Sequence, residues 1–247
     1  LKLGDVVRIP PIRDLREHSS AVGNFRDLEN IILHEDDNLI VLNKPAGMAV
    51  HGGSGVSAGV IETIRRARAD LSGAELVHRL DRGTSGLLVV ARTQKAYDHL
   101  SAQLSDRSMG RWYTALVWGQ IDSDTGSVDA PVGRSKKDRI RMAVISAGRP
   151  AKTNYEVTQR WSDPTVSLIR CKLETGRTHQ IRVHLSAIGH PLVGDELYGG
   201  KRSTIDLERP FLHASFLEFE HPTRNEKVSF ESKIPSDLKE VLKDLSD

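Results

Sequence analysis

A single cysteine, Cys171, stands in a chain of 247 residues. One thiol closes no internal disulfide, so no cysteine framework staples the fold and no cysteine-rich zinc site can form. Aromatic residues are scarce too, with 3 Trp, 4 Tyr and 5 Phe. A surface that grips a polymer by stacking many bases needs more of them. No apolar run approaches the ~20 residues that span a bilayer, and the mixed opening from Leu1 to Ile9 lacks the pattern of a signal peptide. Nor does charge of one sign dominate: 35 Lys plus Arg face 33 Asp plus Glu, a formal net +2. A hydrophobic share of 38% with 28% charged residues excludes whole-chain disorder, collagen and coiled coil. The length suits one large domain or two small ones. A chain of this size buries roughly 70–75% of its unfolded surface, so it folds without staples. A cytoplasmic enzyme or binding protein is the default expectation. The chain opens on Leu1, not Met, as a fragment or processed chain would.

The distribution of charge says more than its sum. Residues 134–141 (RSKKDRIR) carry five basic side chains and one acidic, and Arg65, Arg66 and Arg68 form a second cluster. Such a layout can turn a basic face to a polyanion. An isolated run of this kind is ordinarily a solvated loop or helix face. Gly4-Asp5 and Pro10-Pro11 mark a turn and a stiff linker around a short strand, Val6 to Ile9. Short strands are expected at Ile31 to Leu33 and Leu39 to Leu42, and a helix over Val60 to Ala69. LLVVA, 87–91, reads as a buried central strand. Thr93 caps a helix running to about Ser105, with Tyr97, Leu100 and Leu104 on one face. Thr178 can cap another that stops at Gly189, with Ile181, Leu185 and Ile188 as its apolar line. Further strands are expected at Tyr113 to Val117, Thr153 to Gln159, Val166 to Leu173, Phe211 to Glu220 and Val228 to Phe230, and a closing helix at Leu238 to Leu245. Strands outnumber helices without a βαβ rhythm. That predicts an α+β fold with a central mixed, mainly antiparallel β-sheet, flanking helices and an active-site cleft across the sheet.

Three constellations can carry chemistry. The densest is HRLDRGTSG, 78–86, immediately before LLVVA. Asp81 lies between Arg79 and Arg82 in sequence, and nearby cations favour the ionised carboxylate, which suits a nucleophile or base. A surface ion pair on a tight turn accounts for the pattern equally well. The second is TGRTHQIRVH, 175–184. Arg177 stands where a helix begins, a place that attracts anions. Arg182 lies one turn further in, able to face a carboxylate from another segment. Read alone, Arg177 is more simply a cap on a solvated face. The third is Arg111-Trp112-Tyr113 at a strand start. Such a Tyr can stack on a nucleobase or move a proton, although a half-buried strand Tyr is the simpler reading. His179 and His184 are five apart and share no helix face, so no zinc pair and no metal site is expected. GGSG lacks the Lys-Ser/Thr of a phosphate loop. No strand–GxGxxG–helix unit exists for a dinucleotide or S-adenosylmethionine, and no strand precedes a hydrolase-type Ser turn.

Together, HRLDRGTSGLLV (78–89), LNKPAGMAVHGG (42–53) and ETGRTHQIRVHLSAIGHPLVGDELYG (174–199) resemble the RluA-type pseudouridine synthases. The similarity runs from about Ile31 to Pro235. HGGSGVSAGVIE (51–62) looks most like members acting on large-subunit ribosomal RNA. Residues 1–29 resemble the exit of an S4-type RNA-binding domain and its linker, leaving 30–247 as the catalytic domain. The resemblance implies isomerisation of uridine from an N–C to a C–C glycoside, without cofactor or metal. Asp81 matches the essential aspartate, which attacks C1′ or acts there as a base toward a glycal. Tyr113 matches the tyrosine that stacks on the base and accepts the C5 proton, and Arg182 the basic partner of the aspartate. Arg79 matches the arginine that fills the space of a flipped nucleotide, and Ile181 an apolar pocket wall. Arg177 is added as a phosphate contact. Lys136, Lys137, Arg139 and Arg141 are expected to hold RNA phosphates. The partner would be large-subunit (23S) ribosomal RNA, with no membrane, no obligate protein partner and a monomeric enzyme. Two rivals remain: a non-catalytic RNA-binding or ribosome-assembly factor, and a hydrolase of N-glycosidic bonds using the same aspartate.

Overall fold

The computed structural model describes residues 28–52, 58–138 and 140–245. The strand expected at Val6 to Ile9, the Gly53 to Gly55 loop and Arg139 lie outside these. Leu28 is already packed into the core.

The described chain forms a large sheet in the order β1-β2-β4-β11-β5-β10-β9-β6, with β3 pairing β4 and β12 pairing β11. Its strands are β1 (Ile32–Glu35), β2 (Leu39–Lys44), β3 (Glu75–Leu76), β4 (Ser85–Ala91), β5 (Gly110–Trp118), β6 (Thr125–Asp129), β9 (Lys152–Ser162), β10 (Thr165–Leu173), β11 (Leu212–Glu220) and β12 (Lys227–Glu231). A separate hairpin pairs β7 (Val132–Arg134) with β8 (Met142–Val144). The pairings are antiparallel except β4 with β11, which is parallel. The fold is α+β, as the strand count and rhythm predict.

LLVVA forms the heart of β4, which is buried along its whole length. A strand without alternation needs cover on both faces. Leu88 and Val90 pack on one side with α1 (Val60–Ala67) and α3 (Gln180–Ala187), whose Ile64, Ile181 and Leu185 share that cluster. Leu87, Val89 and Ala91 pack on the other with Ala96 and Leu100 of α2 (Gln94–Ser105). The Thr93 hydroxyl accepts the Ala96 N–H at 3.2 Å and starts α2. The closing helix α4 (Ser236–Asp244) covers a third cluster through Leu238 and Val241.

Two local readings need correction. Thr178 does not cap α3; His179 occupies that position with φ 56°. The side chain of Gln180 instead accepts the Arg177 N–H at 3.0 Å, just ahead of the helix. Ile188 is not on the buried line of α3 but 40% exposed, beyond the helix end. Gly86 lies inside β4 at φ +112°, and a β-carbon there would collide with the Ala214 carbonyl. It permits the close parallel approach of β11.

Candidate active site

Asp81 opens a β-turn at the mouth of β4, closed by Thr84 N–H to Asp81 C=O at 3.0 Å. The LNKPAG segment braces this turn from the end of β2. Gly47 N–H donates to Arg82 C=O at 2.8 Å, and the Arg82 Nε returns a bond to Gly47 C=O at 2.8 Å. Lys44, fully buried, donates to the Pro45 and Met48 carbonyls at 2.9 Å each. Burial pulls its ammonium down to about 7, and the Asp81 charge holds it up. These contacts fix the turn that aims the carboxylate.

The sequence neighbours Arg79 and Arg82 are not the cations that face Asp81. Arg82 is bonded to Gly47, and Arg79 is exposed at the cleft rim. Instead Arg182 Nη1 approaches Asp81 Oδ2 to 3.6 Å, and His179 Nε2 to 3.9 Å. Arg182 lies in the first turn of α3, which carries it to the β4 mouth. Its shortest bonds go elsewhere, to Asp195: Nε to Oδ2 at 2.7 Å and Nη2 to Oδ1 at 2.8 Å. Burial disfavours the Arg182 charge, but Asp195 and Asp81 outweigh it and hold the guanidinium protonated. Tyr198 completes the frame. Its ring lies 5.0 Å from the guanidinium, and its hydroxyl is 2.8 Å from His179 Nδ1. Burial lowers the His179 pKa more than Asp81 raises it, which favours the neutral imidazole.

Asp195 is a functional residue that sequence reading missed. Its side chain is 1% exposed, and the bidentate geometry locks the Arg182 rotamer. Removing one partner of a buried ion pair leaves an uncompensated charge. Asp195→Asn is therefore expected to lower unfolding stability by about 3 kcal/mol, read from the denaturant midpoint. Turnover should fall with it, because Arg182 is no longer held in register with Asp81. An unchanged midpoint would show that Asp195 does not anchor Arg182.

Asp81, His179 and Arg182 line a cleft of about 990 Å³ that also holds Arg79, Arg177, Ile181 and Tyr113. That size is at the upper end of small-ligand sites. Tyr113 projects from β5 on the α3 side, 5% exposed, and packs in one cluster with Ile181. Burial raises the Tyr113 pKa; Arg111 opposes the rise and Asp81 adds to it. Arg177 is half-buried, its Nε bonded to Pro150 C=O at 3.0 Å. Lys136 and Lys137 are exposed in the β7–β8 turn, while Arg141 pairs with Asp138 at 3.2 Å. None of the three lines the cleft, but Val132 and Met142 of the same hairpin do. The second basic cluster is largely paired locally: Arg65 with Glu75, and Arg68 with Glu35 and Asp70. Among the described residues, no three His, Cys, Asp or Glu side chains form a group that could hold a metal ion.

A carboxylate faced by a locked arginine and set beside a buried tyrosine, in one cleft across a mixed sheet, can do nucleophilic and acid–base chemistry on a nucleoside-sized substrate. The chain belongs to the RNA pseudouridylate synthase family, whose pattern matches residues 38–187. It is 43% identical over 259 residues to the ribosomal large subunit pseudouridine synthase C of Escherichia coli (strain K12), covering 99% of this chain and 80% of that protein. It is 46% identical over 221 residues to the uncharacterized RNA pseudouridine synthase YlyB of Bacillus subtilis (strain 168), covering 87% and 72%. Among solved structures, the human RNA pseudouridylate synthase domain containing 4 superposes with a TM-score of 0.70 at 26% identity, covering 90% of this chain and 95% of that one. The corresponding domain containing 1 gives 0.67 at 28%, covering 83% of each.

Proposed function

We propose that this RNA pseudouridine synthase acts on large-subunit ribosomal RNA and works through Asp81 without a cofactor. The observation that carries the reading is the Asp81–Arg182 pair, 3.6 Å apart, at a cleft with room for a nucleotide and walled by Tyr113 and Ile181. A uridine inside folded RNA is extruded before a side chain reaches its sugar, at a cost of a few kcal/mol. Arg79, exposed at the rim, takes the space it leaves. Asp81 attacks C1′ or draws a proton beside it, and the N1–C1′ bond breaks with its electron pair on uracil. The base turns over Tyr113 and rejoins through C5. Arg182 orients the carboxylate. Residues 30–247 supply this chemistry in the cytoplasm as a monomer. Mapping pseudouridine in total RNA from cells with and without the protein tests the substrate. Loss of one or more large-subunit sites is expected; an unchanged map overturns the assignment.

Lys136, Lys137, Arg139, Arg141 and Arg177 hold the flanking phosphates. Neutralising Lys136, Lys137, Arg139 and Arg141 is expected to weaken RNA binding and flatten its salt dependence, by about 0.7 in log–log slope for each phosphate no longer neutralised. Filter binding across a salt series measures it. An unchanged slope would leave the β7–β8 turn as ordinary surface.

A further inference from the structure

Two buried donors in the cleft wall have no acceptor. Arg111, 6% exposed, leaves its Nε without a partner, and no described carboxylate pairs with its guanidinium. Beside it, His78 is 9% exposed, and its Nδ1 is likewise unpartnered. His78 Nε2 accepts the Val89 N–H at 3.3 Å, so in the neutral ring Nδ1 carries the proton. Burial together with the Arg111 charge keeps that ring neutral. Both side chains line the same cleft as Asp81. A buried guanidinium without a counter-charge is costly, and a fold that retains one has an anion to meet there.

Arg111 and Tyr113 lie two apart on β5 and line the same cleft as Asp81. The charges of Asp81 and Arg111 both act on the Tyr113 phenol. Gly176 leaves the space that Arg111 Nη1 occupies, since a β-carbon there would stand 2.8 Å from it. With C1′ at Asp81 and the base over Tyr113, as proposed above, Arg111 and His78 are the unpartnered donors of the cleft wall left to meet the edge of the base.

We propose that Arg111 and His78 form a receptor for the carbonyl edge of uracil and neutralise the negative charge it gains on leaving the ribose. This rests on the reading of Asp81 and Tyr113 above. When N1–C1′ breaks, the electron pair left on N1 spreads to the carbonyl oxygens. Donors fixed in a water-poor wall stabilise that charge more than they stabilise the neutral base.

The test compares wild type with Arg111→Met, Arg111→Lys and His78→Leu, at saturating target RNA under single-turnover conditions. Arg111→Met is expected to lower the rate by about 10²–10³-fold, with RNA affinity within about twofold, the salt slope unchanged and the melting temperature not reduced. Arg111→Lys should recover part of the rate, and His78→Leu should show a smaller loss than Arg111→Met. RNA fluorinated at C5 of the target uracil releases a more stable anion, so the Arg111→Met deficit in glycosidic cleavage should shrink on it. Three results would overturn the receptor: wild-type rate in Arg111→Met, a lowered melting temperature that marks a structural role, or weakened binding with a shallower salt slope that marks a phosphate contact. If wild-type protein converts no uridine at all, the proposed function falls and the receptor with it. Should Arg111→Met not fold, a full rate in both Arg111→Lys and His78→Leu overturns the receptor.

Discussion

Asp81→Asn is expected to bind substrate RNA as wild type does and to form no detectable pseudouridine, a loss of about 10⁴-fold or more in single-turnover rate. The size follows from the role. A carboxylate that bonds C1′ or takes a proton beside it has no substitute in the cleft, and an amide does neither. The retained binding follows from the frame. Arg182 makes its two shortest bonds to Asp195 and not to Asp81. Neutralising Asp81 therefore leaves the guanidinium anchored and the cleft in shape. The β-turn that presents residue 81 is made of backbone bonds and the Lys44 brace, which the substitution does not touch. Tritium release from C5-labelled uridine in RNA reads the turnover. Release at the wild-type rate would remove Asp81 from the chemistry.

Tyr113→Phe should separate two steps that Asp81→Asn abolishes together. The ring stays, buried against Ile181, so the base still stacks. Only the hydroxyl is lost. The phenol is protonated at neutral pH, because burial raises its pKa. It can take the C5 proton only while passing its own onward, and Asp81, freed when the new bond closes, is an acceptor in the same cleft. A loss of about 10²–10⁴-fold is expected in the overall reaction, with glycosidic cleavage still occurring. RNA then accumulates as a species attached to protein or carrying the turned base, while tritium stays on C5. A Phe variant with full tritium release would take Tyr113 out of proton transfer.

Much of the scaffold was legible because it rests on local rules. LLVVA has no alternation and so had to lie inside a covered sheet, and Thr93 met its expected N–H. Asp81 was legible as a carboxylate at the mouth of that strand. Its partners were not read from neighbouring letters, since Arg79 and Arg82 flank it in sequence yet turn to the rim and to Gly47. Asp195 escaped because VGDELYG reads as a loop with a solvated acid, and nothing local shows that the loop carries it to α3. The orphan donors of Arg111 and His78 escaped for a related reason: a missing partner is visible only when all the neighbours are in place. The strands β6, β7 and β8 are short, β6 is largely polar and β7 and β8 have three residues each, so they give no periodic signal.

The sheet order bears on how the protein comes into being. Asp81 belongs to the mouth of β4 and Tyr113 to β5, yet these strands are not neighbours, because β11 is wedged between them. Ser85 and His213, which bond at 2.9 Å across that wedge, lie 128 positions apart. Acid and phenol are therefore both synthesised before the strand that sets their separation. A nascent chain stopped short of Leu212 is expected to carry Asp81 and Tyr113 without the spacing that β11 gives them.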